Sequence, residues 1–261
     1  MMNFCLPGRR AAVGRVLGLC TCLMGSQVAF AGLAELVAAS KPSVLAVGVY
    51  NATTSPRFTF RGTGFVVGDG NHVVTNAHVL PDPVDASFGS QLRVLVMVAG
   101  SLQERVATVV RLDTTHDLAL VRIDGPALPA LPLAGPQGVA EGSDIAFIGY
   151  PIGAALGLTP VTHKGIVSAV TSVALPQASA RTLTGRAAAQ LRDGAFQFYQ
   201  LDATAYPGNS GGPLLDVQTG RAIGVVNMVL LKGTRESALS QPSGISYAIP
   251  IRFVLDLIAA P

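Results

Sequence analysis

Three residues of this chain have the types and the order to do covalent chemistry: His78, Asp117 and Ser210. Ser210 sits in Gly208-Asn209-Ser210-Gly211-Gly212-Pro213, a turn made largely of glycine. Neighbours without side chains let a substrate backbone come close and let the turn take strained dihedrals. In such a turn the amides of Gly208 and Ser210 can converge on one point beside the hydroxyl. Two convergent donors stabilise the negative charge that develops on an attacked carbonyl oxygen. A hydroxyl is a poor nucleophile until a nearby base takes its proton. His78, near the end of the valine-rich run His72–Val79, suits that task. Asp117 precedes the alternating run Leu118-Ala119-Leu120-Val121-Arg122-Ile123, and a carboxylate there can fix an imidazole tautomer and stabilise the imidazolium. Each segment alone has a plainer reading: a glycine-rich hairpin, a strand-end histidine, an aspartate opening a strand.

Chain order narrows the choice. Gly208-Asn209-Ser210-Gly211-Gly212 also fits the G-x-S-x-G elbow of the α/β-hydrolases, which place their histidine after the serine. The four histidines, His72, His78, His116 and His163, all precede Ser210, so that class is excluded. A subtilisin order needs an aspartate before the histidine. Asp69 is the nearby candidate, and its strand-rich surroundings argue against that fold. What remains is His, then Asp, then Ser.

Six blocks in this order resemble the trypsin-like serine proteases, most of all the bacterial HtrA (DegP-like) type. They are Gly62-Thr63-Gly64-Phe65, Thr75-Asn76-Ala77-His78, Asp117-Leu118-Ala119-Leu120, Gly165-Ile166-Val167-Ser168, Pro207 to Pro213, and Gly244 to Pro250. The resemblance implies His78 as base, Asp117 as its orienting partner, Ser210 as nucleophile, and an oxyanion hole from Gly208 and Ser210. It also implies a specificity pocket with Thr204 at its floor and Asn227, Val229 and Ile245 along its walls. A floor without a carboxylate would disfavour Lys and Arg, so cleavage is expected after small to medium aliphatic residues. The expected activity is that of an exported serine endopeptidase acting on peptides or unfolded proteins, with no cofactor and no metal. A catalytically silent relative that binds peptides as a holdase is the alternative. Two departures stand out. The run Ile251 to Ala260 reads as a closing helix near the chain end, so no PDZ domain is expected to follow, and Tyr206 stands where the family often has a smaller side chain.

The elements that must position these residues are short β-rich runs separated by turn signals. Six are expected before a proline-rich crossing: 43–51, 62–68, 72–79, 91–99, 105–112 and 118–123. Six follow it: 144–149, 161–171, 196–203, 212–217, 223–231 and 245–249. Pro126, Pro129, Pro132 and Pro136 leave no room for a helix or central strand between the sets. The expected fold is all-β: two six-stranded antiparallel barrels, with a short N-terminal helix over Leu33 to Ser40 and a C-terminal helix. The expected organisation is a signal peptide (1–31), an N-terminal barrel (32–124), a linker (125–142) and a C-terminal barrel with its helix (143–261). The site then falls in the cleft between barrels. Residues 171–194, polar and alanine-rich, have no place in this pattern and read as a surface excursion or a gating loop.

Composition supports an exported, densely packed protein. Apolar residues make up 49% and charged ones 13%, so core material is plentiful. Arg9, Arg10 and Arg15 adjoin an apolar stretch ending in Ala29-Phe30-Ala31, a small-x-small cleavage pattern. Export implies a periplasmic or secreted location, without stable membrane association after cleavage. Cys5, Cys20 and Cys22 all fall within residues 1–31, so no disulfide framework is available beyond them. The formal charge of +3 equals the three arginines of that same stretch, which leaves no electrostatic case for nucleic acid. No aromatic residue occurs between Gly32 and Val49, which favours a monomer over a trimer built on N-terminal aromatics.

Overall fold

The computed structural model describes residues 1–2, 32–81, 89–98, 100–153, 157–172, 196–227 and 244–260. Its first barrel comprises β1 (Val44–Tyr50), β2 (Phe58–Val67), β3 (His72–Asn76), β4 (Gln91–Val98), β5 (Ser101–Asp113) and β6 (Leu118–Ile123). They close in the order β1-β2-β3-β6-β5-β4. The second comprises β7 (Asp144–Gly149), β8 (Val161–Ser172), β9 (Gln197–Asp202), β10 (Pro213–Asp216), β11 (Ala222–Asn227) and β12 (Ile245–Pro250), in the order β10-β11-β12-β9-β8-β7. Helix α1 (Leu33–Ser40) precedes the first barrel and α2 (Ile251–Ala259) follows the second. This is the expected all-β architecture, and closure leaves neither sheet with an open edge.

Sequence pattern tells which strands face what. Along β4 burial alternates, with Leu92, Val94 and Val96 inward, as in a barrel wall with one wet face. β1 is buried almost throughout because both its faces are covered. Leu45 and Val47 turn into the first barrel, while Val44 and Ala46 turn toward the second. Hence there are three cores. One fills the first barrel around Val66, Val73, Val94 and Val121. Another fills the second around Ile145, Phe147, Leu201 and Leu214. The third lies between them and joins Phe65, Val74, Leu118 and Leu120 to Ile148, Tyr150, Leu215 and Val225. Leu36 of α1 and Val254 and Leu257 of α2 seal that third core.

The proline-rich crossing is tied at both ends. Leu128 and Leu131 donate their N–H groups to the carbonyls of Gly70 and Val66 in the first barrel. Ala134 then donates to Ala222 of the second, and Ala222 donates back to Pro132.

Three expected runs differ in the structure, the first being 62–68, whose strand β2 begins earlier, at Phe58. β5 is longer than 105–112, reaching from Ser101 to Asp113 with a bulge between Val109 and Arg111 that increases its curvature. The run 72–79 divides, because β3 stops at Asn76 and Ala77–Val79 form a single 3-10 turn. The signal peptide and the 171–194 excursion fall almost wholly outside the described residues, as does the end of the run expected over 223–231.

Leu36 is fully buried in the third core. Leu36→Ala should therefore destabilise the protein by about 2–5 kcal/mol, measured by urea unfolding. A loss under about 0.5 kcal/mol, typical of a surface change, would mean that α1 does not seal the core.

Candidate active site

Asp117, at the head of β6, has a backbone φ of 55°, in the left-handed region. Aspartate tolerates that region better than most residues, and the bend brings three of its oxygens into use. Its carbonyl accepts the Ala77 N–H at 3.1 Å and the Asn76 Nδ2 at 2.9 Å. Its Oδ1 accepts the backbone N–H of His78 at 2.9 Å. Its Oδ2 lies 2.6 Å from His78 Nδ1 and accepts Asn227 Nδ2 at 2.8 Å. An ionised carboxylate only accepts hydrogen bonds, so the proton of neutral His78 belongs on Nδ1 and the lone pair on Nε2. The pair is sheltered unequally: the Asp117 side chain is 18% exposed, that of His78 33%.

Ser210, only 4% exposed, lies on the turn before β10. The turn is fastened to the first barrel by Thr63 of β2, a fully buried residue whose three polar atoms make four hydrogen bonds. Its Oγ1 donates to the Gly208 carbonyl at 2.6 Å and accepts the Tyr150 N–H at 3.0 Å. Its N–H donates to the Ser210 carbonyl at 2.8 Å, and its carbonyl accepts the Thr75 hydroxyl at 2.7 Å. Gly208 has φ 104°, and a Cβ there would strike the Tyr150 carbonyl. Gly211 has φ 86°, and a Cβ there would strike the Thr63 carbonyl. Only glycine fits either place.

The peptide between Pro207 and Gly208 is also held. The Pro207 carbonyl accepts the Ile152 N–H at 2.7 Å. In a trans peptide the N–H points opposite to the carbonyl, so the Gly208 N–H faces away from Ile152. Ile152 makes this bond at φ 57°, a costly conformation for a β-branched side chain.

A continuous path joins the serine turn to the aspartate. Gly211 donates to the Val226 carbonyl at 2.9 Å, and the next residue on β11, Asn227, holds Asp117. Gly62 lies between the two halves as well, since a Cβ there would come within 2.6 Å of Val79 and 3.0 Å of the Ser210 carbonyl.

The pocket residues expected from the sequence stand in different settings. Thr204 is half-buried between Ala203 and Ala205, which face the second core. The buried Ser246 hydroxyl grips both flanks, accepting the Ala205 N–H at 2.9 Å and donating to the Ala203 carbonyl at 2.7 Å. Ile245 opens β12 and is 42% exposed. Val229 lies outside the described residues. The carboxamide of Asn227 is 1% exposed and turned to Asp117 instead of outward, because β11 ends beside the Asp117 bend. Sequence reasoning did not assign Thr63, Asn76 or this bond of Asn227. Their signal was a polar residue inside an apolar strand run, which must find a buried partner. Burial also pushes the Tyr150 hydroxyl up to about 12, so it stays a donor, to the Val44 carbonyl at 3.2 Å.

The family model described as "Trypsin-like peptidase domain" matches residues 62–225. The chain is 31% identical over 196 residues to a protein of Halomonas elongata named "Probable periplasmic serine endoprotease DegP-like". Proteins with that same name match at 30% over 196 residues in Pseudomonas putida and at 33% over 195 residues in Chlamydia trachomatis. These alignments cover 74–75% of this chain and 32–34% of the relatives, so the chain spans about a third of their length. No helix among the described residues is long and apolar enough to cross a membrane.

Thr63→Val keeps shape and removes the hydroxyl, leaving the Gly208 carbonyl and the Tyr150 N–H buried without it. The expected cost is about 1–3 kcal/mol for each group stranded, read from urea unfolding. Unchanged stability would show that the hydroxyl does not fasten the turn.

Proposed function

Because the chain belongs to the trypsin-like peptidase family, we propose that it is an exported serine endopeptidase that works through an acyl-enzyme. The observation that carries this reading is the Asp117–His78 pair, with its tautomer set by the 2.6 Å contact, on a framework shared with the Ser210 turn. Ser210 Oγ attacks the scissile carbonyl carbon as its proton passes to His78 Nε2. The carbonyl oxygen becomes an oxyanion facing the N–H groups of Gly208 and Ser210. Asp117 stabilises the imidazolium and stays ionised. Collapse of the intermediate breaks the C–N bond, and His78 delivers its proton to the departing amine. Water then attacks the ester by the same route, releasing the acid and returning the proton to Ser210.

Substrates are peptide segments or unfolded chains, and the periplasmic names of the relatives support a location outside the cytoplasm. In this reading Thr204 forms the floor of the primary pocket and Ile245 part of its wall, while Val229, the other expected wall residue, lies outside the described residues. The side chain of Asn227 serves Asp117 and gives the pocket no polar head group.

The nucleophile is tested by Ser210→Ala. The variant should keep the wild-type circular dichroism spectrum and lose all covalent labelling by a fluorophosphonate, while wild type labels one-to-one. Labelling of the variant at the wild-type rate would remove Ser210 from its role.

The pocket is tested by mass-spectrometric mapping of cuts in a denatured protein. Cleavage should fall after Val, Ala, Ile and Leu, with modest discrimination among them because a methylene is worth about 1–3 kcal/mol. Dominant cleavage after Lys or Arg would show that the floor is elsewhere.

A further inference from the structure

His163 has no part in the steps above, yet its ring lies against the turn that carries Ser210. It stands on β8 opposite Phe147 of β7 and stacks on that ring, with centroids 4.7 Å apart and planes within 17°. The Tyr206 ring is 6.1 Å away. His163 Nε2 lies 3.4 Å from Nδ2 of Asn209, the residue between the two oxyanion donors. Asn209 is fully buried, and its Oδ1 finds no partner among the described residues. That oxygen is pressed against β7, where a Cβ on Gly149 would come within 2.6 Å of it. The Asn209 backbone is tied on both sides, donating to the Tyr206 carbonyl and accepting the Gly212 N–H, each at 3.0 Å. Its side chain is therefore a handle on the peptide planes at Gly208 and Ser210.

We propose that His163 is a positioning residue for peptide hydrolysis: as a neutral imidazole it accepts the Asn209 amide proton and holds the oxyanion turn, and on protonation it lets that turn go. The proposal rests on the reading of Ser210 as nucleophile. A protonated ring presents N–H to N–H. Flipping the carboxamide would restore one bond but would bury an unpartnered NH2 where one oxygen now sits, a worse arrangement. Among the described residues no acceptor or anion facing the ring relieves this. β7 offers Phe147, the turn offers Tyr206 and Asn209, and the neighbouring Lys164 pairs with Asp144 at 3.5 Å. Burial pushes His163 below the ordinary histidine value. The hold is thus complete above about 6.5, where an ordinary histidine is neutral, and is lost as pH falls through the lower folded value.

His163→Leu and His163→Gln test this through turnover of a peptide, fluorophosphonate labelling against pH, and NMR titration of the Asn209 side-chain amide. H163L should lose about 10- to 100-fold in kcat with little change in KM. H163Q, whose amide oxygen can stand where Nε2 stood, should recover most of that loss. The acid limb of its labelling rate should approach a slope of one proton, against two in wild type. The Asn209 amide signals should move with His163 in wild type and stay still in H163Q. Wild-type kinetics in H163L, or Asn209 signals that ignore His163, would overturn the proposal. If H163L does not fold, the slope and the titration in H163Q still decide. A wild type that fails to label would sink the peptidase reading itself, while the titration would still show whether His163 controls Asn209.

Discussion

Two barrels can share one active site only if something fixes the position of one against the other to a fraction of an ångström, and here that constraint is concentrated at Thr63. A purely apolar interface is tight but not directional. Thr63 supplies the direction. Its backbone and hydroxyl reach Ser210, Gly208, Tyr150 and Thr75 from a site with no access to water. In that setting each bond avoids a full desolvation penalty, so a displaced turn would lose several together. The surrounding core presses the barrels together, and Thr63 decides where they stop.

Strain gathers at the same place. Asp117 and Ile152 both hold left-handed backbone, and each uses it to aim a group at the Ser210 turn or at His78. Ordinary dihedrals would point those groups elsewhere. The structure tolerates the cost because the adjoining bonds over-determine each conformation. Asp117 alone accepts five hydrogen bonds counted over its carbonyl and its two carboxylate oxygens.

Much of this was legible in the sequence. Six short β-rich runs on each side of the spaced prolines after Asp124 were enough for two barrels and a crossing. The order of His78, Asp117 and Ser210 was enough to discard other hydrolase folds. What escaped depends on contacts between distant segments. Nothing local in Val-Val-Asn marks Asn227 as a partner for Asp117, 110 residues away. Nothing local in Val-Thr-His-Lys marks His163 as lying against Asn209. The 3-10 turn at Ala77–Val79 was hidden by a β-prone run, because the bonds that end β3 come from Asp117 on another strand.

The shared third core has a consequence for how the chain comes to fold. Phe65, Val74, Leu118 and Leu120 of the first barrel share a core with residues between Leu131 and Leu257, among them Ile148, Tyr150, Val225 and Val254. During synthesis that apolar face exists before its cover does, since the second barrel and α2 follow the first barrel in the sequence. The first barrel is thus an incomplete folding unit, with a sticky apolar face until the second barrel and α2 have been made. A chain that stops before α2 keeps His78, Asp117 and Ser210 in its sequence and lacks the wedge that closes the core beside them.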